Sequence, residues 1–202
     1  MRVDAETANR IELYHLLTDV VNPRPIAWVT TMDRDGVVNL APYSFFNVFG
    51  ANPAIVAFSP AARRDGSKKD TLLNIESTGE FVINVAVESL TAEMVLSSKE
   101  VPHEQSEIEL TGLTVVASEK VRPPRLRESP VQMECRLLQI LTFGERPVAP
   151  HLVIGEVVLI HVDDSVIGDH GRVDPRKLKT IGRLGADWYC RTSDLFESAR
   201  PG

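Results

Sequence analysis

The sequence predicts a mainly β fold, an antiparallel barrel with short helical excursions. Three observations lead there. The apolar runs are short and rich in valine and isoleucine, a strand composition. The 12 glycines and 13 prolines punctuate those runs instead of forming a tract. No regular strand–helix–strand alternation occurs, which argues against a parallel α/β sheet.

Taken in order, PIAWVTT (25–31) is the first strand, and Asp35-Gly36 after it is a hairpin signal. VVNLAPYSFFN (37–47) follows as a second strand, where Pro42 demands a bulge or an edge position. AIVAFS (54–59) is a compact strand. The next segment becomes helical: Asp70 or Thr71 caps it, Leu72, Leu73 and Ile75 are its apolar positions, and Gly79 stops it. FVINVAV (81–87) returns to strand, LTAEMVLSSK (90–99) reads as helix, and VPHEQSEIEL as a connection. Three further strands are expected at 113–121, 131–143 and 151–162, the last two long enough to bend round a barrel. The whole chain, 1–202, reads as one domain with a turn-rich C-terminal extension from about residue 163.

Composition narrows the function. Twenty-two Lys and Arg against 28 Asp and Glu give a net charge of −6, opposite to the basic excess of a dedicated nucleic-acid binder. No apolar run approaches the roughly 18 residues of a membrane helix. The acidic N-terminal stretch lacks the apolar core of a signal peptide. Cys135 and Cys190 form neither a CxxC pair nor a disulfide framework. A reducing cytoplasm is therefore the expected location, with no nucleic acid or membrane as partner.

The chain has no G-x-G-x-x-G, Walker A, H-E-x-x-H or G-x-S-x-G motif. His161, Asp163, Asp164, Asp169 and His170 cluster locally, but their spacing fits a solvated turn better than a metal site, and no metal is expected. Two polar concentrations stand out. RRDGSKKDT (63–71) gathers Arg63, Arg64, Lys68 and Lys69 with Ser67 and Thr71 just before a helix. Unpaired N–H groups and cations there suit a phosphate, and a solvated basic loop is the plainer alternative. Asn39, Ser44 and Asn47 lie among Leu40, Tyr43, Phe45 and Phe46, and Thr30 and Thr31 end the first strand. That mixture suits either a heterocycle or polar groups at a barrel bend.

RPIAWVTT, NLAPYSFFN, AFSP and KDTLLNI occur in that order, followed by HLVIGEVVLIHV and IGRLGADWYCR. Together, over about residues 11–190, they resemble the flavin reductase-like family of FMN-binding split-barrel proteins. That family includes flavoredoxin-like proteins and the reductase components of two-component monooxygenases. The resemblance implies a split β-barrel homodimer with one FMN per subunit. By the same resemblance, Trp28, Val29, Thr30, Ser44, Phe45, Phe46 and Asn47 surround the isoalloxazine. Ser59, Arg63, Lys69, Asp70 and Thr71 bind the phosphate, Asp70 through its backbone N–H or as a cap. Arg183 and Trp188 match a region that approaches the partner's flavin, although R-L-G-G becomes R-L-G-A at Arg183 to Ala186.

The implied activity is an NAD(P)H:FMN reductase, with NADH or NADPH delivering a hydride to flavin N5. Flavin carries that chemistry, so no catalytic side chain is named. His151 either assists near the nicotinamide or is a structural residue at a strand start. Two other roles share the same flavin site: a flavoredoxin-like electron carrier served by a protein partner, and a non-catalytic flavin store. A monooxygenase or another redox protein is the expected heterologous partner.

Overall fold

In the computed structural model, which describes residues 1–63, 65–144 and 149–199, the chain begins with α1 (Arg10–Val20). Then come β1 (Ala27–Met32), β2 (Val38–Tyr43), β3 (Phe46–Ala51), β4 (Ala54–Phe58), α2 (Asp70–Thr78) and β5 (Glu80–Val85). The helices α3 (Thr91–Leu96) and α4 (Glu107–Thr111) precede the short β6 (Val115–Val116) and β7 (Arg125–Leu126). The long β8 (Val131–Thr142) and β9 (His151–Val162) follow, then α5 (Pro175–Leu178), β10 (Ile181–Arg183) and β11 (Tyr189–Arg191).

Seven strands form one antiparallel sheet in the order β2-β1-β5-β8-β9-β4-β3. Its two edge strands, β2 and β3, are neighbours in the chain, joined only by Ser44 and Phe45. A sheet whose outermost strands are so tethered must curl on itself. The edges do not pair, so the barrel is split at this corner. Register shifts between Glu134 and Cys135 and between Leu137 and Gln139 bend the long β8–β9 hairpin.

Period-2 alternation sends β1 side chains to both faces, and both faces are buried. Ala27 and Val29 point into the barrel with Phe58, Phe81, Ile83 and Val153, and Leu72 and Ile75 of α2 pack against them. Trp28 points outward into a second cluster with Leu40, Met94, Leu126 and Ile181. Each such side chain contributes about 1.5–3 kcal/mol when fully buried. Phe58 and Phe81 meet edge to face, 5.5 Å between ring centroids. Gly155 is required beside them, because a β-carbon there would stand 2.4 Å from Phe81 Cζ.

Several elements differ from the sequence reading. The single strand expected over 37–47 breaks at Ser44–Phe45 and its two halves occupy opposite sheet edges. Pro42 does lie on an edge strand, and Asp35-Gly36 does turn the β1–β2 hairpin, with Gly36 at φ 97°. Lys69, one residue earlier than expected, is the N-cap of α2, and Gly79 ends it in the left-handed conformation. The helix expected over 90–99 is shorter, and the stretch read as a connection contains α4, where the Ser106 side chain accepts from Ile108 N. Only Val115–Val116 of the expected 113–121 strand is extended in a ladder. α1 has no counterpart in that reading; Asn9 caps it by accepting from Ile11 N.

Candidate functional site

Two hollows meet beside the N-terminus of α2. One, about 440 Å³, lies between Pro60–Arg63, Gly66–Asp70, Leu72, Leu73, His103 and His151. The other, about 40 Å³, runs along β2 from Asn39 to Tyr43 toward Ser97–Val101. Both are lined by Arg63, Lys69 and Asp70, so they form one groove. The position of α2 is fixed from below, since Leu72 and Ile75 are sealed in the core. Leu72 N and Leu73 N donate to Lys69 O, so the N–H groups of Asp70 and Thr71 are the ones that the first turn offers from this rigid base.

The charges of the groove are mostly spoken for. Arg63 pairs with Asp70. His103 Nδ1 lies 2.8 Å from Asp70 Oδ1 and its Nε2 3.5 Å from Asp33 Oδ2. The hydrogen bond to Asp70 raises the His103 pKa above its usual value. Lys68 is committed to Glu76, at 2.6 and 2.7 Å. Lys69, in contrast, has no side-chain partner among the described residues. It is an uncommitted cation at the junction of the two hollows.

The wall along β2 is a buried polar network. Asn39 Nδ2 donates to Thr71 Oγ1 at 2.7 Å, and the Tyr43 hydroxyl donates to the same oxygen at 2.8 Å. Burial pushes the Tyr43 phenol well above its ordinary pKa. Glu107 Oε2 accepts from Leu40 N at 2.9 Å, and Ser106 Oγ donates to Val38 O at 2.5 Å. Glu107 of α4 and its N-cap Ser106 thereby cover backbone groups of an edge strand. Burial also raises the Glu107 carboxyl.

The expected site residues separate into three sets. Arg63, Lys69, Asp70 and Thr71 converge on the groove. Thr71 is a correction in role: its hydroxyl is buried and holds Asn39 and Tyr43 together, leaving Lys69 and the backbone as donors. A second set gathers at the β2–β3 corner. Ser44 Oγ accepts from Arg24 Nε at 3.4 Å, and Phe45 is 44% exposed. Phe46 packs against the barrel core, and Asn47 Oδ1 accepts from Val48 N. Ser59 N–H donates to Phe45 O at 2.9 Å. Arg183 lies 4.6 Å over the Tyr189 ring and donates to Trp188 O, while Trp188 is 72% exposed.

The third set corrects the expectation. Trp28, Val29 and Thr30 have no exposed surface with which to touch a ligand. Trp28 Nε1 donates to Ser97 Oγ, Val29 fills the barrel, and Thr30 Oγ1 donates to Pro124 O. The physical reason is that β1 is an inner strand covered on both faces. Arg64 lies outside the described residues. His161 is drawn from the turn to buried Glu134, 2.6 Å from its Oε1. His151 lines the larger hollow, its Nδ1 3.0 Å from Thr142 Oγ1. His103 and Glu107 were missed. Ser106, an N-cap before Glu107 and Ile108, was the available signal for α4.

Residues 21–176 match the flavin reductase like domain. This chain belongs to the flavin reductase-like family. Nitrilotriacetate monooxygenase component B from Bacillus cereus is 36% identical, with TM-score 0.92 over 98% of each chain. The 2-nitrobenzoate 2-nitroreductase NbaA of Pseudomonas fluorescens is 32% identical, with TM-score 0.89 over 100% of this chain and 96% of that one. A split barrel domain protein from Shewanella frigidimarina, 24% identical, shares the fold at TM-score 0.84 over 100% of both chains. This flavin reductase-like protein is thus a split barrel, as its open corner indicates. Its groove suits a flavin phosphate, because the uncommitted Lys69 and the α2 N-terminus present cationic and N–H donors together.

Proposed function

We propose that this protein is an FMN-dependent oxidoreductase that takes reducing equivalents from NADH or NADPH. The observation that carries the reading is the uncommitted Lys69 at the mouth of a groove in a flavin reductase-like barrel. When bound, FMN supplies the two-electron chemistry. Lys69 and the first turn of α2 hold the phosphate. Asp70 stays clear of it, with its carboxylate engaged by Arg63 and His103. Asn39, Tyr43 and Thr71 keep the β2 wall rigid against α2. Ser44 and Phe45 frame the ring side. No protein acid or base is needed for the transfer itself, and orientation is the chain's contribution.

The reading includes a homodimer. Tyr14, Leu17, Phe45, Val48 and Phe49 are exposed on α1, the corner and β3. Exposed apolar surface of this kind marks an interface. A monooxygenase is the proposed consumer of the reduced flavin, by analogy with the B component named above. Two free cysteines fit work in a reducing cytoplasm.

Anaerobic stopped-flow mixing of the FMN-loaded protein with each nicotinamide cofactor tests the function. Bleaching of the flavin by NADH or NADPH is the expected result. Reduction only by a redox protein would assign the carrier role, and no reduction by either would leave a flavin-binding protein without reductase activity.

A further inference from the structure

Arg24 is only 7% exposed, yet no carboxylate pairs with it among the described residues. Taking a charge out of water is costly unless other groups satisfy it. Here backbone carbonyls do so. Nη1 donates to Thr18 O at 2.5 Å and Val21 O at 2.9 Å, and Nη2 donates to Leu184 O at 2.8 Å. The first two carbonyls belong to the C-terminal end of α1, where the helix dipole favours a cation. The Arg24 backbone also exchanges two 2.9 Å hydrogen bonds with Arg183.

The remaining contacts point at the corner. Nε donates to Ser44 Oγ at 3.4 Å, and the Phe45 ring lies over the guanidinium with its centroid 5.7 Å away. Tyr14 of α1 meets the same ring at 6.3 Å. Ser44 and Phe45 are the only residues joining two sheet edges that do not pair. From the sheet side, Ser59 N donates to Phe45 O at 2.9 Å. Arg24 ties them to two segments from opposite ends of the chain.

We propose that Arg24 is a positioning residue for the flavin ring, holding the Ser44–Phe45 corner in place from beneath without touching the cofactor. The inference rests on the reading of that corner as the ring side of the flavin site. A lysine cannot replace the planar fork, because one ammonium cannot reach carbonyls and a hydroxyl in four directions. Loss of the fork loosens the ring side and leaves the phosphate side at Lys69 intact. FMN and riboflavin should consequently lose affinity together.

The experiment uses the full chain with Arg24→Lys, Arg24→Gln, the Ser44→Ala/Phe45→Ala pair, and each Arg24 variant combined with that pair. FMN and riboflavin titrations, the visible circular dichroism of bound flavin and urea unfolding are measured on each. Both flavins should bind about tenfold more weakly or worse in the Arg24 variants, the loss expected when a charged hydrogen-bond donor is removed. The flavin dichroism should change, and the affinity loss should largely vanish in the corner-variant background, as coupling requires. If Arg24→Gln does not fold, Arg24→Lys carries the comparison. Unchanged affinity, a loss confined to FMN, or full additivity with the corner substitutions would overturn the proposal. Failure of the unmodified protein to bind either flavin would sink the proposed function itself, and the inference with it.

Discussion

Asp19, near the end of α1, occupies the space that a side chain at residue 185 would need: a β-carbon on Gly185 would lie 1.7 Å from Asp19 Oδ1 and 3.4 Å from Asp19 Cα. Gly185 is buried there, so the turn of the C-terminal extension docks backbone-first against α1. Gly185→Ala should destabilise the protein by about 1–3 kcal/mol, the usual range for overpacking. Asp19→Ala in the same chain should recover most of that loss, since it removes the nearest obstruction. Urea unfolding of the two single variants and the double variant checks it, and simple additivity would count against the contact.

The next residue carries a different strain. Ala186 sits at φ 43°, a region that suits glycine and costs an alanine. It is also where R-L-G-G becomes R-L-G-A. Ala186→Gly should stabilise the fold by about 0.5–1 kcal/mol, after the greater backbone entropy of glycine in the unfolded chain is deducted. A thermal midpoint that rises by about 2 °C is the expected size for a chain of this length. A fall would mean that the turn tolerates alanine without strain.

Lys69 is the discriminating test of the phosphate site. Lys69→Ala should weaken FMN binding about 10- to 150-fold, the equivalent of one charge-assisted hydrogen bond of roughly 1.5–3 kcal/mol. Riboflavin, which lacks the phosphate, should bind with little change. The fold should be nearly unaffected, because the ammonium has no partner among the described residues. Equal losses for the two flavins would remove Lys69 from the phosphate site.

The barrel was legible where residues repeat a local pattern, and the site was not where partners come from distant elements. β9 appears at its expected bounds because valine, isoleucine and leucine dominate its twelve residues. The corner at Ser44–Phe45 was read through as strand, since strand composition continues on both sides and only closure of the barrel forces the break. KKDT marked the start of α2, and with it the groove proposed for the phosphate, because a basic run before a helix is a local signal. Trp28, Val29 and Thr30 were placed at the ligand by family resemblance, and only the sheet order reveals that β1 is covered on both faces. His103 had no local signal at all: Asp70 and Asp33 lie 33 and 70 residues away in sequence.

The proposed dimer makes a prediction of its own. Phe49 is 67% exposed on β3, an edge strand of the split sheet. In a two-fold interface the same patch is used twice, so one charged substitution acts at two places. Phe49→Asp should raise the dimer dissociation constant about tenfold or more, as loss of a central aromatic does. Sedimentation velocity across the micromolar range measures it. A flavin-saturated unmodified protein that sediments only as a monomer would remove the dimer altogether.

His103 gives the protein a pH dependence with a definite sign. Its pKa is raised chiefly by the hydrogen bond to Asp70, which outweighs the opposing desolvation, with further help from the charges of Asp70, Asp33 and Glu104. A histidine whose pKa is higher when folded binds its proton more tightly in the native state. The resulting stabilisation is complete below the unfolded value of about 6.5 and is lost as pH rises through the raised folded value. His103→Gln should therefore lower the thermal midpoint most near pH 6, and the two proteins should converge at alkaline pH. The same imidazolium stands at the rim of the groove, so FMN affinity should fall over the same interval in the unmodified protein. The phosphate itself titrates near pH 6, which makes His103→Gln the necessary reference. Chemical-shift titration of the ring fixes the interval directly. Parallel stability profiles for the two proteins would show that the contacts with Asp70 and Asp33 do not bias the protonation of His103.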